Sequence, residues 1–282
     1  MTSLKKLWKG LALPYIIICL SYLIINSVFL YMNGDLSLVN YLRSIGYMAA
    51  GFQSCPHGIG AVAMWFVYTL LIIKILFMVL HDCRWLGVLS VLCILGAFIC
   101  REHHLAWSVQ NVLLALPFYY VGWMLANKKG FEDFTSMLIA FSHHHSIWTI
   151  ILVVVGLFAC YVMGKTNGIA KMYSCNYGNS IILFYVGGFL GSFLIYIVSL
   201  LLNEIVLPWV KTISVGSIVI LGYQFVPIKL YGFFMTIKQF TPYKYNDLLT
   251  LLVSILIMWS FVCIIRIIQR TFPILMGGRS IA

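Results

Sequence analysis

Eight apolar runs, near 11–32, 60–80, 85–100, 107–126, 146–163, 179–202, 213–235 and 247–268, occupy most of this chain of 282 residues. Most are close to the roughly 20 residues a helix needs to cross the hydrocarbon core of a bilayer. No water reaches backbone amides there, so only helices and closed barrels, which bond every amide internally, can span it. Barrel strands alternate apolar and polar positions over about ten residues, and these runs are unbroken blocks. The sequence therefore predicts an all-α fold, a polytopic transmembrane helical bundle of about eight spans. Composition agrees, with 62% hydrophobic residues against 9% charged and a mean hydropathy of +1.01. A soluble surface needs far more polar side chains than that. The third run is short, and is expected to be tilted, interfacial or extended past Cys100.

Lys5, Lys6 and Lys9 resemble the basic start of a signal peptide. The apolar run behind them is long and carries no small-residue cleavage site, so it reads as the first span. Residues 1–282 read as a single membrane domain. With the N-terminus inside, Lys5, Lys6, Lys9, Arg84, Lys128, Lys129, Lys211, Arg266, Arg270 and Arg279 fall on the inner side. Arg43, Arg101, Lys165, Lys171, Lys229, Lys238 and Lys244 fall outside, and Lys74 lies within a span. The excess of inner lysines and arginines predicts both termini in the cytoplasm. The net charge of +11 is spread over both faces, which argues against a nucleic-acid partner, since that would need a clustered basic stripe.

Cys19, Cys93, Cys160 and Cys263 lie in spans, where a cysteine acts as a small hydrophobe. Cys55 and Cys175 fall in outer loops, where a disulfide between them stays open. No CxxC or Cys/His ligand spacing is present, so no metal is expected. No internal repeat of the kind that builds secondary transporters is visible. The stretch 127–145 holds FTSMLIAF, too short to span and suited to the membrane interface.

The densest ionisable cluster is REHHLAW, Arg101 to Trp107, at the outer end between the third and fourth runs. A carboxylate beside an imidazole fixes its tautomer and lets it act as a general base. Glu102, His103 and His104 are therefore the candidate catalytic residues. The competing reading is a polar loop wetted by headgroups. The histidines of SHHHS, His143 to His145, point in different directions around a helix and read as interfacial. Lys74 either snorkels to the inner interface or lines a cavity. Gln224 and Pro227 break the seventh run. Proline frees a backbone carbonyl one turn earlier, near Tyr223, while Gln224 either lines a polar pocket or bonds a neighbouring helix. Gly222 allows a close helix approach on that side.

Several segments in order resemble the acyltransferase 3 family, in its fucose 4-O-acetylase-like branch. KKLWKGLALPYIIICLSYLI is similar to the branch's third span, with Leu13, Pro14 and Tyr15 at its entry. GIGAVAMWFVYTLLIIKILF carries the Trp-Phe pair as Trp65 and Phe66. ALPFYYVGWMLAN carries Phe118 and Gly122. NYGNSIILFYVGGFLGSFLIYIVS carries Tyr177, Gly178, Asn179 and Gly191. ISVGSIVILGYQFVPIKLY is similar to the penultimate span, with Gln224 where the branch has a histidine. Glutamine keeps a hydrogen-bonding amide but takes up no proton near neutrality.

The resemblance implies a bacterial inner-membrane O-acyltransferase. It would move an acetyl group from acetyl-CoA, a co-substrate and not a bound cofactor, to a sugar hydroxyl of a surface polysaccharide or its precursor. The implied partners are the lipid bilayer, an acyl-CoA and a glycan. Gln224, Trp65 and Arg101 are the expected substrate-binding residues. The family usually has ten spans, and the pair absent here carries its first-helix histidine. The expectation that follows is a chain without turnover of its own, with His103 or His104 first in line as base should it turn over. The alternatives are a catalytically inactive truncated family member and a polytopic small-molecule transporter.

Overall fold

The computed structural model describes residues 2–32, 34, 37–51, 62–80, 83–101, 103, 105–127, 129–201, 207–228, 230 and 247–276. Nearly all of them are helical. The helices are α1 (Thr2–Leu7), α2 (Leu13–Met32), α3 (Leu38–Ala49), α4 (Trp65–Leu80), α5 (Leu86–Ile99) and α6 (Val109–Ala126). They continue as α7 (Lys129–His144), α8 (Ser146–Asn167), α9 (Ile181–Leu201), α10 (Pro208–Val215), α11 (Ser217–Tyr223) and α12 (Asp247–Thr271). Among the described residues the one β-bridge pairs Lys171 with Asn176.

Five helices are long and apolar enough to cross a membrane: Leu4–Met32, Ala106–Ala126, Ile147–Asn167, Ile181–Leu200 and Leu251–Thr271. A bent pair, Pro208–Val215 with Ser217–Ile228, makes a sixth, and α4 and α5 are shorter apolar helices. These elements coincide with the eight apolar runs, so the chain is an all-α, multi-pass membrane bundle. At 16 and 14 residues, α4 and α5 extend about 24 and 21 Å. Both fall short of a hydrocarbon core of about 30 Å.

The chain divides into two compact units, with the boundary inside α4. The first comprises Met1–Leu71 and Leu207–Ala282. Its core gathers Ile18 and Cys19 of α2, Met64 and Val67, Val219 of α11, Phe261 and Ile265 of α12, and Leu275 and Met276. Gly222 on α11 meets α2 so closely that a Cβ there would overlap Cγ2 of Ile18, the close approach expected of this glycine. The sharp bend of the seventh run is not at Pro227. It lies at Gly216, where α10 and α11 meet at 63°. A Cβ on Gly216 would overlap Ile265, so α12 presses on the backbone at the bend. Tyr15 donates to the Met48 carbonyl oxygen at 2.9 Å.

The second unit is Ile72–Val206. Here α5 packs along α6, and α8 along α9, with small residues at the contacts, as helices packing in lipid prefer. Leu113 of α6 lies over Gly96, and Leu194 of α9 over Gly156. One core patch joins Ile73, Phe77, Leu86, Cys93, Val112 and Leu116. A second joins Ala97, Leu114, Cys175 and Tyr185. Elsewhere α8 exposes Ile150, Val154, Phe158 and Tyr161, a surface suited to lipid and not to water.

Candidate functional site

The polar end of the second unit is built by two loops, the one between α5 and α6 and the one between α8 and α9. The sequence placed both on the outer side, and the structure brings them together. α5 closes with the Cys100 amide on the Gly96 carbonyl, and the His103 amide then donates to the Cys100 carbonyl at 3.2 Å. The Leu105 amide donates at 3.1 Å to Oε1 of Gln110, which is almost fully buried. Trp107 and Ser108 follow with φ of 61° and 53°. A left-handed backbone costs a residue with a side chain about 1–2 kcal/mol, and two in succession are held only because the fold around them fixes them.

The second loop folds back into the bundle instead of into solvent. Cys175, itself at φ 53°, is fully buried. Its thiol reaches the carbonyl oxygens of Ala97 and Gln110, each at 3.5 Å. Burial, helped by the nearby Cys100 thiol, pushes its pKa up to about 11. Cys175 is a free thiol, and Cys55, the other half of the open disulfide reading, lies outside the described residues.

Asn167, at the end of α8, is the hub of this loop. Its Nδ2 donates to the Tyr177 carbonyl at 2.7 Å, and its Oδ1 accepts from the Ser180 amide at 2.8 Å. Its own carbonyl accepts from the Asn179 amide at 2.8 Å. Gly178 passes through at φ 85°, where a Cβ would overlap the Asn167 carbonyl oxygen. Only glycine takes that conformation in that space.

Arg101 bridges the two loops. Its Nη2 donates to the Gly178 carbonyl at 3.0 Å, and its guanidinium lies 4.9 Å from the centre of the Tyr177 ring. Tyr177 is buried and stacks on Phe98 at 6.2 Å. His103, two residues on, is exposed. Glu102 and His104 lie outside the described residues. Arg101, Lys165 and Lys171 surround this end with positive charge, and no acidic residue is described there.

Sequence reasoning missed Asn111. It is fully buried on the first turn of α6, and among the described residues neither its Nδ2 nor its Oδ1 has a hydrogen-bond partner. Leaving a buried polar group unpaired costs about 1–3 kcal/mol, so such a group calls for an explanation. Amides in an apolar run, here Gln110 and Asn111, read from sequence as glue between helices, which is why Asn111 gave no signal.

Of the other expected residues, Trp65, half-buried at the start of α4, and Gln224 belong to the first unit. Gln224 is half-buried where α11 ends; its backbone amide donates to the Ile220 carbonyl, and its side-chain amide hydrogen-bonds none of the described residues. The polar contact across spans is made by its neighbour Tyr223, whose hydroxyl meets Oγ of Ser21 on α2. Lys74 is half-buried with no ion partner among the described residues. His144 and His145 are exposed, their rings 5.7 Å apart at 83°. No protein-family model matches the chain, and neither a curated protein nor a solved structure matches it.

Proposed function

We propose that this protein is a membrane O-acyltransferase that moves an acetyl group from acetyl-CoA to a sugar hydroxyl of a surface polysaccharide or its precursor, and that the polar end of the second unit is its site. The observation that carries the reading is the buried amide of Asn111, which has no hydrogen-bond partner among the described residues and follows two left-handed residues, Trp107 and Ser108, on the loop that bears Arg101 and His103. The resemblance of the span motifs to the acyltransferase 3 family supplies the reaction class.

Each residue has a chemical part, and the reading departs from the expected chain without turnover by taking His103 as the base. The exposed imidazole of His103, which Glu102 and His104 flank in sequence, takes the proton of the sugar hydroxyl. The sugar oxygen attacks the thioester carbonyl carbon, and the electron pair moves to the carbonyl oxygen. The Asn111 amide donates to that oxyanion. Collapse expels the CoA thiolate, which takes the proton back from the imidazolium, leaving an acetyl ester and free CoA. Arg101, with Lys165 and Lys171, gives this end the positive charge that attracts an anionic substrate group. Trp65 and Gln224 belong to a substrate-binding surface of the first unit.

The bias of lysine and arginine supports both termini in the cytoplasm of a bacterial inner membrane. That orientation opens the site on the outer face, so the thioester end of a cytoplasmic acetyl-CoA must reach it through the bundle. Membrane vesicles loaded with labelled acetyl-CoA and given a panel of sugars outside test this. Labelled O-acetyl sugar supports the reading. Label that never leaves CoA overturns it, and sugar uptake without acetylation supports a transporter instead.

A further inference from the structure

The end of the second unit opposite the polar loops carries a separate feature. The loop after α8 packs on the start of α6 through Cys175 and Gln110, so the end of α6 and the start of α8 lie at the other end. α7 joins those two points. It is 16 residues long, about 24 Å, and must lie across that end because both its termini are there. Along its first turns the half-buried face carries Phe131, Phe134, Thr135 and Leu138 while Glu132, Asp133 and Ser136 are exposed, and farther on Met137, Ile139 and Phe141 are exposed as well. That division belongs to a helix lying in the membrane interface.

Beneath the first turns of α7 is a cavity of about 930 Å³, walled by Phe118, Gly122 and Leu125 of α6, Phe131 of α7, and Phe193 and Tyr196 of α9. Its size is near the top of the range of about 300–1,000 Å³ found for small-molecule sites. The hydroxyls at its wall are already engaged. Ser192 donates to the Gly188 carbonyl at 2.8 Å, and Tyr196 shares a 2.6 Å hydrogen bond with Thr135. Water needs two or more polar partners to settle in a cavity, and a sugar or nucleotide would bury its own polar groups unpaired. The occupant must therefore be apolar. Open space lies beside Gly122 and Gly130, since a Cβ on either would meet nothing within 4 Å. Gly122, Leu125 and Phe193 are exposed, which gives the cavity a side mouth below an interfacial helix, at the depth of lipid tails.

We propose that this cavity is a lipid site that takes one acyl chain of a membrane phospholipid, with α7 lying over it at headgroup depth. The full chain, reconstituted in phosphatidylcholine bilayers doped with a phosphatidylcholine that bears a diazirine midway along one acyl chain, tests this by photolabelling and peptide mapping. Label concentrated on Val121, Leu125, Phe189 and Phe193, above that on the exposed α8 face at Val154 and Phe158, is the expected result. Gly122→Phe or Gly130→Leu, which fill the space, should bring the cavity label down to the α8 level. Uniform labelling of α6, α8 and α9 in the unaltered protein would show only the lipid shell and overturn the proposal, as would cavity label unchanged in a folded filling variant. The unaltered protein's map decides alone should neither variant fold.

Discussion

Arg101 donates a hydrogen bond to the Gly178 carbonyl oxygen across 3.0 Å while its guanidinium covers the ring of Tyr177. One side chain thus ties the α5–α6 loop to the α8–α9 loop, 77 residues away in sequence. Arg101→Ala should lower the stability of the protein in detergent by about 1–3 kcal/mol, from a charge-assisted hydrogen bond and an exposed cation–π contact. Arg101→Lys should recover only part of this, because an ammonium cannot stack and bond as a planar fork does. Thermal unfolding followed by tryptophan fluorescence measures both, and an unchanged transition in Arg101→Ala would mean the loops hold without it.

Cys175 should resist thiol reagents in the folded protein. Its pKa is pushed from 9.0 up to about 11, and only the thiolate reacts. A maleimide at neutral pH should modify Cys83, which is exposed in the turn before α5, and leave Cys175 untouched until the protein unfolds. The shift also has a sign for stability. A thiol whose folded pKa is raised stabilises the fold fully below its unfolded value of about 9, and that contribution is lost as the pH rises through about 11. Unfolding midpoints should therefore fall between pH 9 and pH 11, and less so in Cys175→Ala.

Gly222 and Ile18 should be coupled energetically. A Cβ at position 222 would overlap the Ile18 side chain, so Gly222→Ala should destabilise the protein by about 1–3 kcal/mol through overpacking. Ile18→Ala leaves a cavity and is also destabilising, by about 2–5 kcal/mol. Together the two changes should cost less than their sum, since each relieves the other. Strict additivity in chemical unfolding would place the helices farther apart than described.

What could be read in advance follows the physics of each feature. The spans were legible because run length is set by bilayer thickness, and α2, α6, α8, α9 and α12 fall on their runs. The break in the seventh run was legible, but its place was not. Pro227 is the obvious breaker, yet the bend sits at Gly216, where packing of Ile265 on the backbone decides it, and sequence does not show packing. Of the candidate site, REHHLAW stood out by its density of ionisable groups, and Arg101 and His103 do fall at a polar end. Cys175 read as an outer-loop cysteine, with nothing in the sequence to show that the loop turns back into the bundle. The fold-back that buries it depends on Asn167 and Gly178 meeting the chain again ten residues later. Asn111 carried no signal at all, since an amide's satisfaction depends on neighbours that only the folded chain supplies.

The amide of Asn111, without a hydrogen-bond partner among the described residues, offers the most direct test of the proposed site. Replacing a buried, unsatisfied polar side chain by an apolar one of similar volume is neutral or stabilising, so Asn111→Leu should unfold no earlier than the unaltered protein. The account requires that the same variant lose acetyl transfer from acetyl-CoA to sugar, by roughly 10²–10³-fold for an oxyanion donor. His103→Ala should lose roughly 10²–10⁴-fold for a general base. The deciding measurement is the rate of labelled O-acetyl sugar formation by Asn111→Leu in membrane vesicles, alongside its thermal stability. A stable protein with transfer abolished is the predicted result. A stable Asn111→Leu that transfers acetyl groups at the unaltered rate would contradict the site.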